Sequence, residues 1–283
     1  SADGNNVRPV KVDEFRIAVA ETYDVIVRPT EDKAYTVFAA SMGRSAYGRG
    51  TLAPREGMTA AVPGLAARPL LTMADMGMDH GNMAGMSDDA SGTMDHSKMT
   101  GMDHSKMTGM GKKSDPFYAA GSGLAPKAAN GGKFLSYADL KAQKPLYKER
   151  PATREIELRL TGNMERYIWS INGKEYQDDE EIRLQYGERV RFKFVNETMM
   201  SHPMHLHGMW TILDTGAGKW NPVKHVVSVA PGTTVYTETE VDAPGQWAFH
   251  CHLSYHAAAG MFRKVVVIGG PDTPSTAQSK LTQ

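Results

Sequence analysis

One cysteine, Cys251, in 283 residues excludes an internal disulfide, and with it any reading of redox compartment from cysteine usage. Net charge is missing as well. Thirty-two Lys and Arg balance thirty-two Asp and Glu, which leaves no field to attract a phosphate backbone or an anionic bilayer and argues against a nucleic-acid partner. No uninterrupted apolar run approaches the roughly 18 residues that suggest a membrane span. The chain opens at Ser1 directly on β-like sequence, without the basic-then-apolar segment of a secretory signal. What remains is a chain with 41% hydrophobic content, enough for one large domain or two ordinary ones.

What is abundant is methionine: 18 residues, ten of them between Met73 and Met110. They fall in an octapeptide repeat, MDHGNMAG at 78–85, a degenerate MSDDASGT at 86–93, then MDHSKMTG at 94–101 and again at 102–109. A period of eight fits neither a helical face nor a foldable repeat of 20 or more residues, so the repetition is one of chemistry. Thioethers select Cu(I) and imidazole suits Cu(II) as well. The candidate ligands are therefore Met78, His80, Met83, Met94, His96, Met99, Met102, His104 and Met107. The competing reading is a Met-rich disordered linker of no specific use.

Around this arm the composition divides the chain. Residues 1–54 read as β-rich, with two strands between Val10 and Val27, a third over Tyr35–Ala40 and a turn at Gly48–Gly50. With so few strands and no staple, this stretch is expected to be the remnant of a domain whose start lies upstream of Ser1. Residues 55–150 read as linker, rich in Gly, Ala, Pro, Met and Ser, with a short helix near Ser136 to Ala142. From 151 to 270, eight short strands separated by turns such as Asn172-Gly173, Pro231-Gly232 and Pro244-Gly245 predict an all-β, Greek-key sandwich. The tail over 271–283 is polar and expected to be disordered.

Two motifs in that last region carry the chemistry. In HCHLSYHAAAGM (250–261), strand alternation puts His250 and His252 on one face and Cys251 on the other. In HPMHLHG (202–208), His205 and His207 share a face while His202, three residues before His205, falls on the opposite one. The simplest assembly gathers His202, Cys251, His256 and Met261 inside the sandwich, two imidazoles and a thiolate with a weak thioether, which is the ligand set of a blue-copper site. His205, His207, His250 and His252 then form a second, outward cluster. Zinc competes for Cys and His, but the Met and the Met-rich arm favour copper. His225 stands apart and is taken as an ordinary surface histidine.

HPMHLHG and HCHLSYHAAAGM resemble the carboxyl-terminal third of multicopper oxidases, in particular the copper-resistance protein A type. VDEFRIAVAETYDVIVRP is similar to the late strands of that family's middle domain, and a Met/His-rich insertion is similar to one such proteins carry. The resemblance implies cupredoxin domains in the periplasm. It also implies that His202, Cys251, His256 and Met261 are type 1 copper ligands, His205 a type 2 ligand, and His207, His250 and His252 type 3 ligands. Its implied reaction takes electrons from a small reducing substrate, Cu(I) or a phenol-like donor, and reduces O2 to water. Two features depart from the family. No further H-x-H motif exists in the chain, so it holds half of the trinuclear site and would need the missing N-terminal cupredoxin domain. His256 is followed by Ala257, Ala258 and Ala259 where many members place an acid, leaving Asp242 as a weak substitute for proton delivery. A copper-sequestering or electron-transfer protein without oxidase activity is the main alternative, and a structural cupredoxin domain with an unoccupied site ranks lower.

Overall fold

The computed structural model describes residues 1–76, 115–163, 166–178 and 181–271. The octapeptide arm from 77 and the tail after 271 lie outside the described residues, as do the readings made for them. The early strands are β1 (Glu14–Phe15), β2 (Tyr35–Ala40), β3 (Tyr47–Leu52) and β4 (Phe134–Leu135). Then follow β5 (Arg154–Asn163), β6 (Ile168–Ile171), β7 (Ile182–Gln185), β8 (Arg189–Asn196), β9 (His202–Leu206), β10 (Thr211–Leu213) and β11 (Val223–Lys224). The last are β12 (Val226–Val229), β13 (Thr234–Glu240), β14 (Gly245–Cys251) and β15 (Phe262–Ile268), with one short helix, α1 (Ser254–Ala258).

The strands from β5 onward form two facing sheets, ordered β11-β10-β13-β8-β5-β6 and β12-β9-β14-β15-β7. Alternation creates the space between them. Val190, Phe192 and Phe194 of β8 point inward and are buried, while the residues between them are not. Phe249 from the facing sheet meets Phe192 and Phe194 edge-on, with centroids 5.3 and 5.8 Å away. Burying each such ring contributes up to about 3 kcal/mol. Leu158, Leu160, Ile171, Leu206, Val227, Val229 and Val265 complete the layer.

Several boundaries differ from the sequence expectation. MHLHGMW reads as one strand, but β9 stops at Leu206 and β10 resumes at Thr211 in the other sheet. Gly208 makes the break: its φ is +76°, and a Cβ there would lie 2.3 Å from the Trp247 ring. β7 and β11 are too short and too irregular in pattern to read from sequence. Between Val10 and Val27 only Glu14–Phe15 is strand, held in parallel by Phe134–Leu135. Of the remaining residues, Tyr23 makes an isolated bridge to Ala2, while Val25, Ile26 and Val27 are exposed. Gly48 and Gly50 belong to β3 and are not a turn; the chain reverses at residues 41–45, where Arg44 has φ +57°. The expected helix near Ser136 is a single 3-10 turn, Tyr137–Asp139, closed by a Ser136/Asp139 capping box.

Residues 115–150 were expected to be linker, yet Phe117, Leu124, Ala128, Leu140 and Ala142 are buried. The two flanks of the octapeptide arm are also tied together. The buried Asp75 carboxylate accepts from Thr72 N at 2.7 Å, from Gly123 N at 3.0 Å and from the Ser122 hydroxyl.

Candidate metal centre

The positions of the candidate ligands follow from one antiparallel register. β9 and β14 pair so that His205 faces His250 and Cys251 faces Met204. Directly opposed residues share a sheet face, so the inward face receives Cys251 and the outward face receives His205 and His250. Burial agrees with the parity: His202 and Cys251 are fully buried, whereas His205, His250 and His252 are half-buried and His207 is exposed.

Inside, Cys251 Sγ lies 3.7 Å from both His202 Nδ1 and His256 Nδ1, and the two nitrogens are 3.1 Å apart. His256 is delivered by α1, which begins three residues after Cys251. Met261, fully buried, locks that excursion shut: its N–H donates to His256 O at 2.9 Å and its carbonyl accepts from Cys251 N at 3.1 Å. Three of the expected four residues, His202, Cys251 and His256, are thus brought together, and Met261 is tied to them through its backbone.

Burial sets the protonation states. Desolvation holds His202 down to about 3, helped by His256, and holds His256 down to about 4, so both imidazoles are neutral at pH 7. The same desolvation pushes the Cys251 thiol up to about 12. The His202 tautomer is fixed by neighbours. Thr198 donates its hydroxyl hydrogen to Asn196 Oδ1 at 2.9 Å, which leaves its oxygen to accept from His202 Nε2–H at 2.6 Å. Nδ1 therefore keeps its lone pair toward Cys251. Trp169 stacks on the His256 ring at 3.9 Å and meets His202 edge-on at 5.3 Å. Two neutral nitrogens and one sulfur converge in an apolar pocket. This donor set fits a soft, borderline ion such as copper, once the thiol gives up its proton.

Outside, the four remaining histidines crowd one patch. His207 Nε2 is 3.1 Å from His250 Nε2, and the His205 ring lies 4.6, 5.7 and 5.6 Å from those of His207, His250 and His252. His205 Nδ1 donates to the His225 carbonyl at 2.7 Å, because a carbonyl can only accept, so Nε2 is the free nitrogen. Desolvation holds His205 down to about 4.

His225 is not the isolated residue expected. Its ring is 5.5 Å from His205 and 6.2 Å from Trp210. Asp242, by contrast, leaves the picture: it precedes β14 at the end remote from Cys251, some 20 Å along the strand at 3.3 Å per residue. Thr198 and Trp169 were not singled out from sequence. No spacing rule points to either, since both reach the histidines only through the folded sheets.

A sandwich carrying a Cys-His-His pocket back to back with a patch of four histidines defines a cupredoxin copper domain. Family models described as multicopper oxidase match residues 149–270 and 1–62, and the chain belongs to the multicopper oxidase family. Within it, the chain is of the copper-resistance protein A type. It is 47% identical over 311 residues to copper resistance protein A of Escherichia coli, covering 94% of this chain and 51% of that protein. It is 45% identical over 314 residues to copper resistance protein A of Pseudomonas syringae pv. tomato, again covering 94% and 51%. The chain spans about half the length of these curated relatives. The solved structure of Fet3p, a multicopper oxidase that functions in iron import, aligns with a TM-score of 0.43 at 17% identity, covering 48% of this chain and 35% of that one.

Proposed function

We propose that this chain is the part of a periplasmic copper-resistance oxidase that accepts electrons from Cu(I) or phenol-like donors. His202, Cys251 and His256 would hold a type 1 copper with Met261 as weak axial partner. His205, His207, His250 and His252 would supply half of a trinuclear cluster, completed by histidines of a further cupredoxin domain. Bound copper would supply one-electron redox chemistry at the first site and O2 reduction to water at the second. The observation that carries this reading is the β9/β14 register, which puts Cys251 inside and its two chain neighbours outside. Three consecutive residues thereby join the two sites covalently.

The protein's own residues have defined tasks. Burial keeps His202 and His256 neutral and water away from the sulfur, Thr198 orients His202, and Trp169 holds the His256 ring flat against it. The Met/His repeats between Met78 and Met107 would collect Cu(I) for the oxidase. That composition also favours a second reading, copper sequestration with electron transfer but no oxidase activity.

Copper loading of the purified chain tests the first site. An intense blue Cu(II)–thiolate absorption is expected, abolished in Cys251→Ser and retained in His225→Ala; a chain that stays colourless, or a Cys251→Ser variant that stays blue, refutes the assignment. Oxygen uptake by the isolated 283 residues should be negligible. Extending the chain with the remaining domains of the full-length protein should restore uptake if it is an oxidase, and leave it negligible if it only sequesters copper.

A further inference from the structure

The outward patch is braced from behind by a residue far away in sequence. His225 is the single residue between β11 in one sheet and β12 in the other, so its backbone turns a corner and belongs to neither ladder. Its amide and carbonyl must find partners elsewhere. The carbonyl takes the Nδ1–H of His205. The amide, together with that of Val226, donates to one carboxylate oxygen of Asp3, at 3.1 and 3.2 Å.

Asp3 is built for this place. It sits at the tip of a tight turn closed by reciprocal bonds between Ala2 and Asn5, and both central residues are left-handed, with φ +50° at Asp3 and +77° at Gly4. Asp followed by Gly is the pair such a turn favours. The turn is pinned to β11 by Asn5 Nδ2, which donates to Val223 O at 3.1 Å. The Asp3 side chain is fully buried; its other oxygen accepts from Thr22 N at 2.9 Å. Lys224, whose side chain is also fully buried, balances its charge at 2.9 Å and reaches Glu21 at 3.2 Å.

We propose that Asp3 is a positioning residue for His205: by holding the corner amides of His225 and Val226, it aims the His225 carbonyl that fixes the imidazole tautomer and turns Nε2 toward the cluster. The inference rests on the proposed role of His205 as a copper ligand only for its purpose. The tautomer itself is a property of the metal-free chain.

The test is long-range proton–nitrogen NMR of the histidine rings in the metal-free chain at pH 8. Wild-type His205 is expected to be almost wholly the Nδ1–H tautomer; a wild-type His205 protonated on Nε2 would overturn the proposal without any variant. In Asp3→Ala the preference should fall at least tenfold, giving a visible mixture, while the His202 and His256 signals and the blue colour on copper loading stay as in wild type. Asp3→Ala leaves Glu21 to balance Lys224, so it strands no buried charge. Asp3→Asn should restore the Nδ1–H tautomer only in part, because its one amide oxygen can face the two corner amides only by turning its NH2 against Thr22 N–H. A His205 tautomer unchanged in Asp3→Ala defeats the positioning role even if His205 binds copper. A tautomer that responds to Asp3 supports it even if His205 later proves not to be a ligand.

Discussion

Cys251 carries the largest protonation cost at the inner site. A buried thiol pushed up to about 12 must ionise before it can bind a metal, whereas His202 and His256, held down to about 3 and 4, are already neutral above pH 5. Copper binding therefore releases one proton, from sulfur, across the neutral range. The apparent Cu(II) affinity of the inner site should rise about tenfold per pH unit between pH 6 and 9. Competition against a chelator of known pH dependence, followed at the blue band, measures the slope. A flat profile would mean that the thiol is ionised before copper arrives. At this scale the sequence was most legible for the grouping of His202, Cys251 and His256, because Cys and His are recognisable by chemistry alone. Thr198 and Trp169 were not, because what they do depends on where β6 and the loop before β9 come to rest. His225 was misjudged for a related reason: its carbonyl and its ring reach His205 only where β11 and β12 meet at the corner.

Among the elements, β9 and β14 do most to create the site, and their parity could be read directly from the two motifs. A shift of one residue in their register would exchange the inward and outward sets. Gly208 guards that register at the end of β9. Its left-handed φ and its closeness to Trp247 leave no room for a side chain, and Trp247 is itself tethered by its indole N–H to Ala243 O at 3.0 Å. Gly208→Ala should cost about 2–4 kcal/mol through combined backbone strain and ring displacement. Urea unfolding of the metal-free chain would detect it as a lower midpoint at unchanged slope. A midpoint equal to wild type would show that Trp247 gives way freely. Strands β7, β10 and β11 escaped the sequence reading because they are only four, three and two residues long, too short for alternation to be distinguished from chance. They matter nonetheless, since β11 brings the chain to the corner at His225.

Across the whole molecule, residues 1–27 are fastened to the carboxyl-terminal sandwich through a buried ionic cluster that no sequence pattern announced. Asp3, Glu21 and Lys224 are separated by up to 221 positions, and only the assembled fold makes them neighbours. Glu21 also accepts from the Tyr137 hydroxyl and from Ala18 N at 2.7 Å, and Tyr137 in turn accepts from Ser228 N at 3.0 Å. Lys224 lies over the Tyr23 and Tyr137 rings at 5.1 and 5.5 Å. One buried cation thus serves two buried carboxylates, and the three members are not equivalent. Removing Asp3 leaves a balanced Lys224–Glu21 pair, but removing Lys224 leaves two buried carboxylates facing each other. Lys224→Met, similar in length and apolar, should therefore destabilise the chain by about 3–5 kcal/mol. Adding Glu21→Gln to Lys224→Met should recover part of the loss, because it removes one stranded charge. Urea midpoints rank the three variants, and limited proteolysis reports whether residues 1–27 come loose in Lys224→Met while the rest of the sandwich stays protected. If Lys224→Met proved as stable as wild type, the attachment would rest on the turn and the aromatic packing, and the charges would be incidental to it.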